Sequence, residues 1–407
     1  MPSVTIVGAS GAVIPVSVDG AAAFSLAQAY AAALSGLAAG GSLAAYTLPS
    51  DGSAPSIPTG KVGEGVIMSS GTYVVPSGYS YLTDGASGPV TIIGAGDMSS
   101  VSVLAGAGGT TYLAGAGGGS FIASGNNLFE GSSGNETIAT GNGNDSIIAG
   151  SGNDMIYDGG GANVVALGSG ADTLYSQGSD LVYGGDGSDT IIATGPSNTI
   201  IGGNSDFVFS SGNSTVFGGR STSIFESGSG TLTFVAAAGG SATISGTSSS
   251  VFGASGSDIT LLDTSGVTYG IASAGNETLQ GAFTSGSLML FGGTGAADLV
   301  GGAGSDTLTA GSGNNTLTGG AGANDFNFTN GFGSGNVTIT DFGSSAGNLV
   351  QLFGYGANAV QSALASATST NKGGSMITLS DSTTVTFSDL SVTALKAHSA
   401  QFLQNGS

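Results

Sequence analysis

The sequence predicts an all-β protein: a parallel β-roll or β-helix solenoid with a short N-terminal helix and a small C-terminal capping segment. Gly supplies 78 of the 407 residues, which is far above its usual share. From Ile122 the chain falls into nine-residue units that are Gly-rich for five positions, carry Asp or Asn at the sixth and end in an apolar–polar alternation. Such a turn and strand cannot bury a core alone, so successive units must stack on one another.

The N-terminal part precedes these units. Residues 1–60 are predicted to form a helix-containing cap and a linker, because apolar residues recur at helical spacing from Phe24 to Leu37, after a possible N-cap at Asp19. Residues 61–121 alternate short apolar runs with Gly-rich turns and are predicted to begin the solenoid. Because the end strands of a stack are exposed, the terminal segment is expected to cover one end of it.

Residues 122–209 contain ten consecutive units, two of which have eight residues. Their glycines permit the backbone conformations of tight turns, and the residues after position six alternate as they do in strands. The apolar side chain at position eight is therefore predicted to form the core. These side chains belong to Phe129, Ile138, Ile147, Ile156, Val165, Leu174, Val182, Ile191, Ile200 and Val208.

The rest of the chain is less regular. Residues 210–291 keep short strands separated by Gly and Ser turns, but acidic residues at position six mostly vanish. Residues 292–353 contain a second block of units, in which Asp306 is the acidic residue at position six. Residues 354–407 are predicted to form a C-terminal cap with a short helix and a hairpin that turns near Asp381.

Charge and composition exclude several classes of function. The chain has four Lys plus Arg against 25 Asp plus Glu, so it can neutralise neither a run of phosphates nor an anionic membrane surface. Cys is absent, which rules out disulfides and thiolate-bound metals. Residues 21–39 are mostly Ala with interspersed Ser, Gln and Gly, so no membrane insertion is expected. The first residues lack the basic region of a cleaved signal peptide.

The unit GGAGSDTLT (residues 301–309) matches the pattern G-G-x-G-x-D-x-U-x. Its Gly-rich turn exposes carbonyls beside an ionised carboxylate, and calcium prefers about six to eight such hard oxygen ligands. The chain therefore resembles the RTX family of secreted proteins with haemolysin-type calcium-binding repeats. The resemblance implies a β-roll in which turn carbonyls and position-six side chains hold several Ca²⁺ ions between coils. The implied ligands are Glu136, Asp145, Asp154, Asp172, Asp180, Asp189, Asp206, Asp306, Asn127, Asn163 and Asn198.

In an RTX β-roll two units make one coil, so alternate position-six side chains are expected to form two columns. The acidic column contains Glu136, Asp154, Asp172, Asp189 and Asp206. The amide column alternates Asn and Asp and contains Asn127, Asp145, Asn163, Asp180 and Asn198. Calcium affinity rises with ligand charge, so we expect a better-occupied ion row in the acidic column and a weaker one in the amide column.

An alternative remains open, in which Asp and Asn merely cap the turns, since both residues favour turns. This alternative is stronger in residues 292–353 than in residues 122–209. For residues 210–291, which mostly lack the acidic positions, a calcium-free β-helix is expected, with a wider helix as the alternative if the coils change length.

The C-terminal sequence adds a second resemblance. VTITDFGSSAGNLVQLFG resembles the segment that commonly follows RTX repeats, although Asn348 stands where Asp is usual. The residues after it resemble the terminal domain of type I-secreted calcium-binding proteins. The resemblance implies an uncleaved C-terminal export signal within residues 354–407 and an extracellular location. Outside the cell, millimolar calcium would drive the folding of acidic repeats that repel one another inside it.

No enzyme is expected from this sequence. Arg220 lies near Glu226, but a surface ion pair accounts for them more simply than a catalytic site does. The chain contains no H-E-x-x-H motif, and His398 has no triad context. A polysaccharide-modifying β-helix enzyme is therefore the least favoured function.

A non-enzymatic extracellular structural role fits the sequence best: a surface-layer, biofilm-matrix or fibre-forming subunit that folds with calcium and self-associates head to tail. The alternative is a calcium-dependent adhesin or glycan-binding module that contacts cell-surface or matrix polysaccharide. That alternative needs exposed aromatic residues, and the candidates are Tyr73, Tyr79, Tyr81 and Tyr112. No nucleic-acid partner is expected.

Overall fold

The computed structural model describes residues 2–7, 13–94, 99–246, 248–262, 266–332 and 335–405. The chain divides into two compact units, residues 1–213 and 214–407. In each unit the body is a parallel β-solenoid whose coils add strands to a first sheet and to a second sheet. The predicted all-β solenoid with a short N-terminal helix is confirmed.

The first unit opens with an antiparallel strand pair and a helix, which are β1 (Ser3–Val7), β2 (Val13–Ser17) and α1 (Ala21–Ala39). Its remaining strands are β3 (Leu43–Thr47), β4 (Val62–Ile67), β5 (Gly71–Val74), β6 (Tyr79–Asp84), β7 (Val90–Ile93), β8 (Val101–Ala105), β9 (Thr110–Leu113), β10 (Gly119–Ala123), β11 (Leu128–Glu130), β12 (Glu136–Thr140), β13 (Ser146–Ile148), β14 (Met155–Asp158), β15 (Val164–Ala166), β16 (Ser169–Gly170), β17 (Thr173–Ser176), β18 (Leu181–Tyr183), β19 (Asp186–Gly187), β20 (Thr190–Ala193), β21 (Ser197–Ile201) and β22 (Ser205–Ser210). The first sheet contains β3, β4, β6, β8, β10, β12, β14, β17, β20 and β22, and the second contains β5, β7, β9, β11, β13, β15, β18 and β21. The short strands β16 and β19 pair with each other.

The second unit contains β23 (Asn213–Phe217), β24 (Ser221–Glu226), β25 (Leu232–Val235), β26 (Ser241–Ser245), β27 (Ser249–Phe252), β28 (Asp258–Leu262), β29 (Thr268–Ile271), β30 (Glu277–Phe283), β31 (Leu288–Phe291), β32 (Ala297–Val300), β33 (Thr307–Thr309), β34 (Asn315–Thr318), β35 (Asp325–Thr329), β36 (Asn336–Ile339), β37 (Leu349–Phe353), β38 (Thr368–Ser369), β39 (Ser375–Thr378), β40 (Thr384–Phe387) and β41 (Phe402–Asn405). Two helices, α2 (Ala359–Ala365) and α3 (Val392–Ala397), and two 3-10 turns, Phe342–Ser344 and Ser399–Gln401, lie near its end. Its even-numbered strands from β24 to β36, with β40, form the first sheet, and its odd-numbered strands from β23 to β37, with β41, form the second.

The core follows the repeat. All ten apolar side chains at position eight are buried, and none is more than 1% exposed. Each stacks on its counterpart one coil away, as Ile138 does on Ile156 and Ile147 does on Val165. Adjacent residues of the same strands face outward because side chains alternate along a strand. The core that the repeat predicts is confirmed.

The second unit keeps the two-sheet arrangement although its coils vary in length. Ser221 pairs with Ser241, whereas Asp298 pairs with Thr316. The wider β-helix considered for residues 210–291 is therefore not what forms in this unit. Extra residues lengthen strands such as β24 and β30, which have six and seven residues against four in β14, and the two sheets stay in place.

The N-terminal helix lies against a sheet face. Ala23, Ala27, Tyr30 and Leu34 of α1 are buried in one apolar cluster with residues of the first sheet that include Leu104, Ile122 and Ala139. The expectation that this segment covers an end of the stack is wrong. The helix instead packs on a face of the first sheet, because apolar residues of that face meet its apolar side. Of the described residues, α1 is also the one helix long and apolar enough to cross a membrane by length and composition.

Two further details of this region differ from expectation. Asp19 does not cap α1: Gly20 precedes the helix, and Asp19 Oδ1 accepts a hydrogen bond from the backbone N–H of Asn142 at 2.9 Å. The solenoid also begins earlier than predicted, because β3 already pairs in parallel with β4. The first coil therefore starts inside the segment assigned to the cap and linker, residues 1–60.

The C-terminal segment extends both sheets. β40 pairs in parallel with β36, and β41 pairs in parallel with β37. β39 then pairs antiparallel with β40, so the predicted hairpin covers the end of the first sheet. Beneath it Phe342 contacts Phe326, Phe387 and Phe402 edge to face. The short helix and the hairpin are both present where the sequence predicts them.

Strand β13 offers a matched test of the core. Ile147 is 1% exposed, and its neighbour Ile148 is 44% exposed. Ile147→Ala is expected to lower the free energy of unfolding by about 2–5 kcal/mol, because it leaves a cavity inside the stack. Ile148→Ala should cost about 0.5 kcal/mol or less. Urea unfolding of both variants in calcium measures the difference, and equal losses would contradict the assigned core.

Candidate metal centre

The position-six side chains form two ladders that run along the first unit. In the acidic column, the backbone N–H of Glu136 donates to Asp154 Oδ1 at 2.7 Å. The N–H of Asp154 donates to Asp172 Oδ1 at 2.7 Å, and the N–H of Asp172 donates to Asp189 Oδ1 at 3.0 Å. Partners along the first two rungs are 18 residues apart, which is two units. The acidic column expected from the spacing is therefore present.

The amide column repeats this geometry on the other set of turns. The N–H of Asn127 donates to Asp145 Oδ1 at 2.7 Å, and the N–H of Asp145 donates to Asn163 Oδ1 at 2.8 Å. The N–H of Asn163 donates to Asp180 Oδ1 at 2.9 Å, and that of Asp180 to Asn198 Oδ1 at 3.2 Å. One oxygen of each interior side chain is thus used to hold the preceding coil.

The second carboxylate oxygens of the acidic column have no such partner. Both oxygens of Glu136 and one oxygen each of Asp154, Asp172, Asp189 and Asp206 are buried without a hydrogen bond. No Lys or Arg lies within residues 122–209 to offset these charges, since the four basic residues are Lys61, Arg220, Lys372 and Lys396. A buried carboxylate without a counter-charge is strongly unfavourable.

The pKa values of these buried carboxyls are raised. Burial and then the neighbouring Asp154 raise the pKa of Glu136 to about 8. Burial, together with adjacent carboxylates, likewise raises the pKa of Asp189 to about 7 and that of Asp172 to about 6. Each group holds a proton more tightly than in water because burial disfavours its charged form.

These donors fit calcium. Unpartnered carboxylate oxygens and Gly-rich turn carbonyls are hard oxygen ligands, which calcium accepts in irregular geometry. Within the part of the chain that the structure describes, no three His, Cys, Asp or Glu side chains converge as a metal site, so carbonyls must complete the ligand set. Glu136, Asp154, Asp172, Asp189 and Asp206 would hold the ions, which would link each coil to the next.

The turns allow this close stacking because they contain glycine. Gly161 has φ of +129°, and a Cβ placed there would lie 1.8 Å from the carbonyl oxygen of Gly143 in the coil below. Any larger residue would push the two turns apart and separate their carbonyls. The glycines therefore set the spacing at which neighbouring turns can share an ion.

Two amides of the amide column donate hydrogen bonds to carbonyls of their own turns. Asn127 Nδ2 donates to the carbonyl of Gly125 at 2.8 Å, and Asn198 Nδ2 donates to that of Gly195 at 3.3 Å. An amide N–H thus satisfies a turn carbonyl without a cation. The weaker ion row expected in this column stays a prediction, and these contacts supply its physical reason.

Side chains in the turns of the second block are also hydrogen-bonded to backbone groups. Both carboxylate oxygens of Asp306 accept backbone hydrogen bonds, from Leu288 at 2.8 Å and from Gly302 at 2.7 Å. Asn315 Nδ2 donates to the carbonyl of Gly313 at 2.8 Å and also to that of Gly311. Calcium binding by Asp306 stays a prediction, and the turn-capping alternative is favoured by these contacts, which leave its carboxylate no unpartnered oxygen.

Sequence reasoning missed one carboxylate at these turns. Asp158 is the first residue of its unit, where the other units of residues 122–209 carry no acid. It is 2% exposed, and its Oδ2 has no hydrogen-bond partner. Burial, and then the charges of Asp180 and Asp145, raise its pKa to about 9. An acid at an unusual position of the unit was the signal available in the sequence.

The other candidate residues do not assemble a site. Tyr73, Tyr79 and Tyr112 are at most 3% exposed. They therefore do not form the exposed aromatic surface that glycan binding would need. Tyr81 is half-buried and packs against Tyr30 of α1. Core packing was the favoured alternative for these tyrosines, and their rings do face the core or the helix.

The residues considered for catalysis do not form a catalytic arrangement. His398 Nδ1 shares a hydrogen bond with the side chain of Gln401, and its ring packs against Phe342. Arg220 is exposed at the start of β24, whereas Glu226 is buried at the end of that strand. Neither arrangement brings a base and a nucleophile together.

Comparison with known families decides the class of repeat. The RTX calcium-binding nonapeptide repeat matches four segments, residues 123–147, 140–174, 175–206 and 291–326. The chain contains RTX calcium-binding nonapeptide repeats in these segments. The first three matches cover the acidic and amide columns, and the fourth covers the block around Asp306. No curated protein and no solved structure matches the chain.

The RTX repeats of this protein are calcium-binding repeats that form a β-roll. Proteins with RTX repeats are typically exported by type I secretion to the cell exterior, and the repeats are typically structural modules. These general properties agree with the oxygen-only donor set of the two columns.

Proposed function

We propose that this RTX protein is an extracellular structural subunit whose first unit folds when calcium binds. The acidic column carries the proposal. Its five carboxylates are 2–4% exposed and have at least one unpartnered oxygen each, and no basic side chain lies within residues 122–209. Only a bound cation or a proton can make such a column favourable near neutral pH.

Calcium would act here as a link between coils. In low calcium the carboxylates repel one another and cannot be desolvated, so the roll stays open and suited to export. Millimolar calcium outside the cell then stabilises the folded state by mass action. Several ions bound along one column would make this folding transition steep.

Self-association is the second part of the proposal. In the described part of the chain, β5 of the first unit pairs only with β7, and β41 of the second unit pairs only with β37. A strand with one free edge offers unpaired peptide groups to another chain. Head-to-tail assembly of copies through such second-sheet edges would produce a fibre or layer.

A row of outward apolar residues on the second sheet of the second unit supports further contacts between copies. Phe217, Val235, Phe252, Ile271 and Phe291 follow one another in register from β23 to β31. Phe217, Phe252 and Ile271 are each about two-fifths exposed. An uncharged row is free of the repulsion that a net charge of −21 would otherwise impose between copies.

Electron microscopy and light scattering of the purified full chain test the proposal. In millimolar calcium we expect fibres or sheets that disperse on chelation, together with a calcium-dependent gain of β structure by circular dichroism. Asp258→Asn, which changes an exposed acid at the start of β28, serves as the matched control and should behave as the wild type. Monodisperse particles in calcium would refute the assembly, and calcium-independent circular dichroism would refute the folding role.

A further inference from the structure

One turn of the amide column has an acid and its hydrogen-bond donor in exchanged positions. In the neighbouring coils the first residue of the unit is a hydroxyl, Thr140 or Ser176, and position six is an acid. The hydroxyl of Ser176 donates to Asp180 Oδ2. In the coil between them the first residue is Asp158 and position six is Asn163, whose Nδ2 donates to Asp158 Oδ1. Strand register confirms the equivalence, since Asp158 pairs with Ser176.

This exchange places carboxylates on three successive coils. Asp145, Asp158 and Asp180 are each 2–3% exposed. Asn163 joins two of them, because its backbone N–H donates to Asp180 Oδ1 at 2.9 Å while its side chain donates to Asp158. The amide column is therefore not uniformly one acid and one amide per pair, as position six alone indicates.

Two oxygens of this group remain without a partner. Asp158 Oδ2 and Asp145 Oδ2 are buried and accept no hydrogen bond. If Asp158 served only to satisfy the amide of Asn163, one of its oxygens would suffice, and a neutral acceptor would avoid burying a second charge beside Asp180. A desolvated pair of carboxylates with free oxygens calls for a cation.

The other Asn coils of the column lack this feature. The residue equivalent to Asp158 by strand register is Ala123 in the coil of Asn127 and Ala193 in the coil of Asn198. Neither can replace the missing carboxylate. The chain thus contains one substituted turn and two unsubstituted turns of the same type.

We propose that Asp158 and Asp145, each of which has an unpartnered buried oxygen, hold a calcium ion in the amide column, so that one strong site lies between weak ones. The proposal rests on the calcium-dependent folding proposed above. The ligand class is a divalent, oxygen-preferring cation, and the turn carbonyls next to Asp158 and Asn163 would complete its ligand set.

Counting bound calcium ions on the full-length protein tests the site. Asp158→Ser restores the hydroxyl found in the neighbouring coils, so the variant should fold, and we expect it to bind one calcium ion fewer than the wild type. Alternatively, if the ion is retained through Asp145, its affinity should fall about tenfold or more. Calcium titration by calorimetry with equilibrium dialysis measures both quantities.

A reciprocal variant keeps the test decisive. Ala193→Asp places an acid beside Asn198 in the equivalent position and should add one bound ion, whereas Asp258→Asn should change nothing. Unchanged stoichiometry and affinity in Asp158→Ser would overturn the inference even if the other sites bind normally. A wild type that binds no calcium at all would instead refute the proposed function, so the two failures are distinguishable.

Discussion

Removal of calcium at pH 8 is expected to unfold the coils of residues 122–209 while the second unit keeps its structure. The acidic column has unpartnered carboxylate oxygens on all five members, and these charges become uncompensated when the ions leave. The second block has no such need, because backbone N–H groups occupy both oxygens of Asp306 and the amide of Asn315 occupies turn carbonyls. Chelation should therefore unfold residues 122–209 and leave the second block folded.

Hydrogen exchange read out by mass spectrometry, with and without chelator, resolves this difference along the chain. Protection should fall by orders of magnitude on the strands from β12 to β22 and change little on those from β31 to β37. Asp172→Asn sharpens the comparison, since an amide at that position can donate to turn carbonyls as Asn127 does. The variant should bind calcium less tightly and lose less protection on chelation. Equal loss of protection in both blocks would contradict the assignment.

In protein freed of calcium, acid is expected to replace the ion as the stabilising partner. Burial raises the pKa of Glu136 to about 8 and that of Asp189 to about 7, whereas an unfolded chain titrates near pH 4. Between these limits the folded state binds more protons than the unfolded state. Its stability is therefore full below about pH 4 and is lost as the pH rises toward 8.

With calcium bound the sign reverses. Protons and Ca²⁺ then compete for the same oxygens, so acidification releases ions and lowers the stability of the calcium-bound form. Melting temperatures at pH 5 and pH 8, measured in calcium-free buffer and in millimolar calcium, should show opposite trends. Asp172→Asn removes one of the buried acids and should flatten the calcium-free trend. A calcium-free protein that melts higher at pH 8 than at pH 5 would refute this account of the column.

The repeat itself made much of the fold predictable. The nine-residue period fixes which side chains face inward, and the ten residues at position eight all do so because a strand alternates its two faces. The same period separates position six into two columns, which the ladders from Glu136 and from Asn127 reproduce. Periodic sequence therefore determined local structure wherever one unit contacts only its neighbours.

Contacts between segments distant in sequence were not predictable in this way. The side chain of Asp19 was expected to cap α1 but binds the backbone of Asn142, 123 residues later. Tyr73 and Tyr112 were considered as exposed residues, yet stacking of the early coils buries both. Each error concerns a side chain whose partner lies on another coil or on the helix, which composition and spacing do not specify.

By itself, the sequence determined the solenoid class, its core positions, the acidic column and the oxygen-based chemistry that suits calcium, because each depends on a local and repeated pattern. The tertiary structure alone decided which of these oxygens are free. Asp306 matches the calcium pattern best in sequence, yet its carboxylate is fully hydrogen-bonded to backbone N–H groups. Asp158 lies outside the pattern, yet stacking places it beside Asp180 with an oxygen left over. Whether an oxygen can bind an ion depends on what the adjacent coil already donates to it, and only the packed structure specifies that.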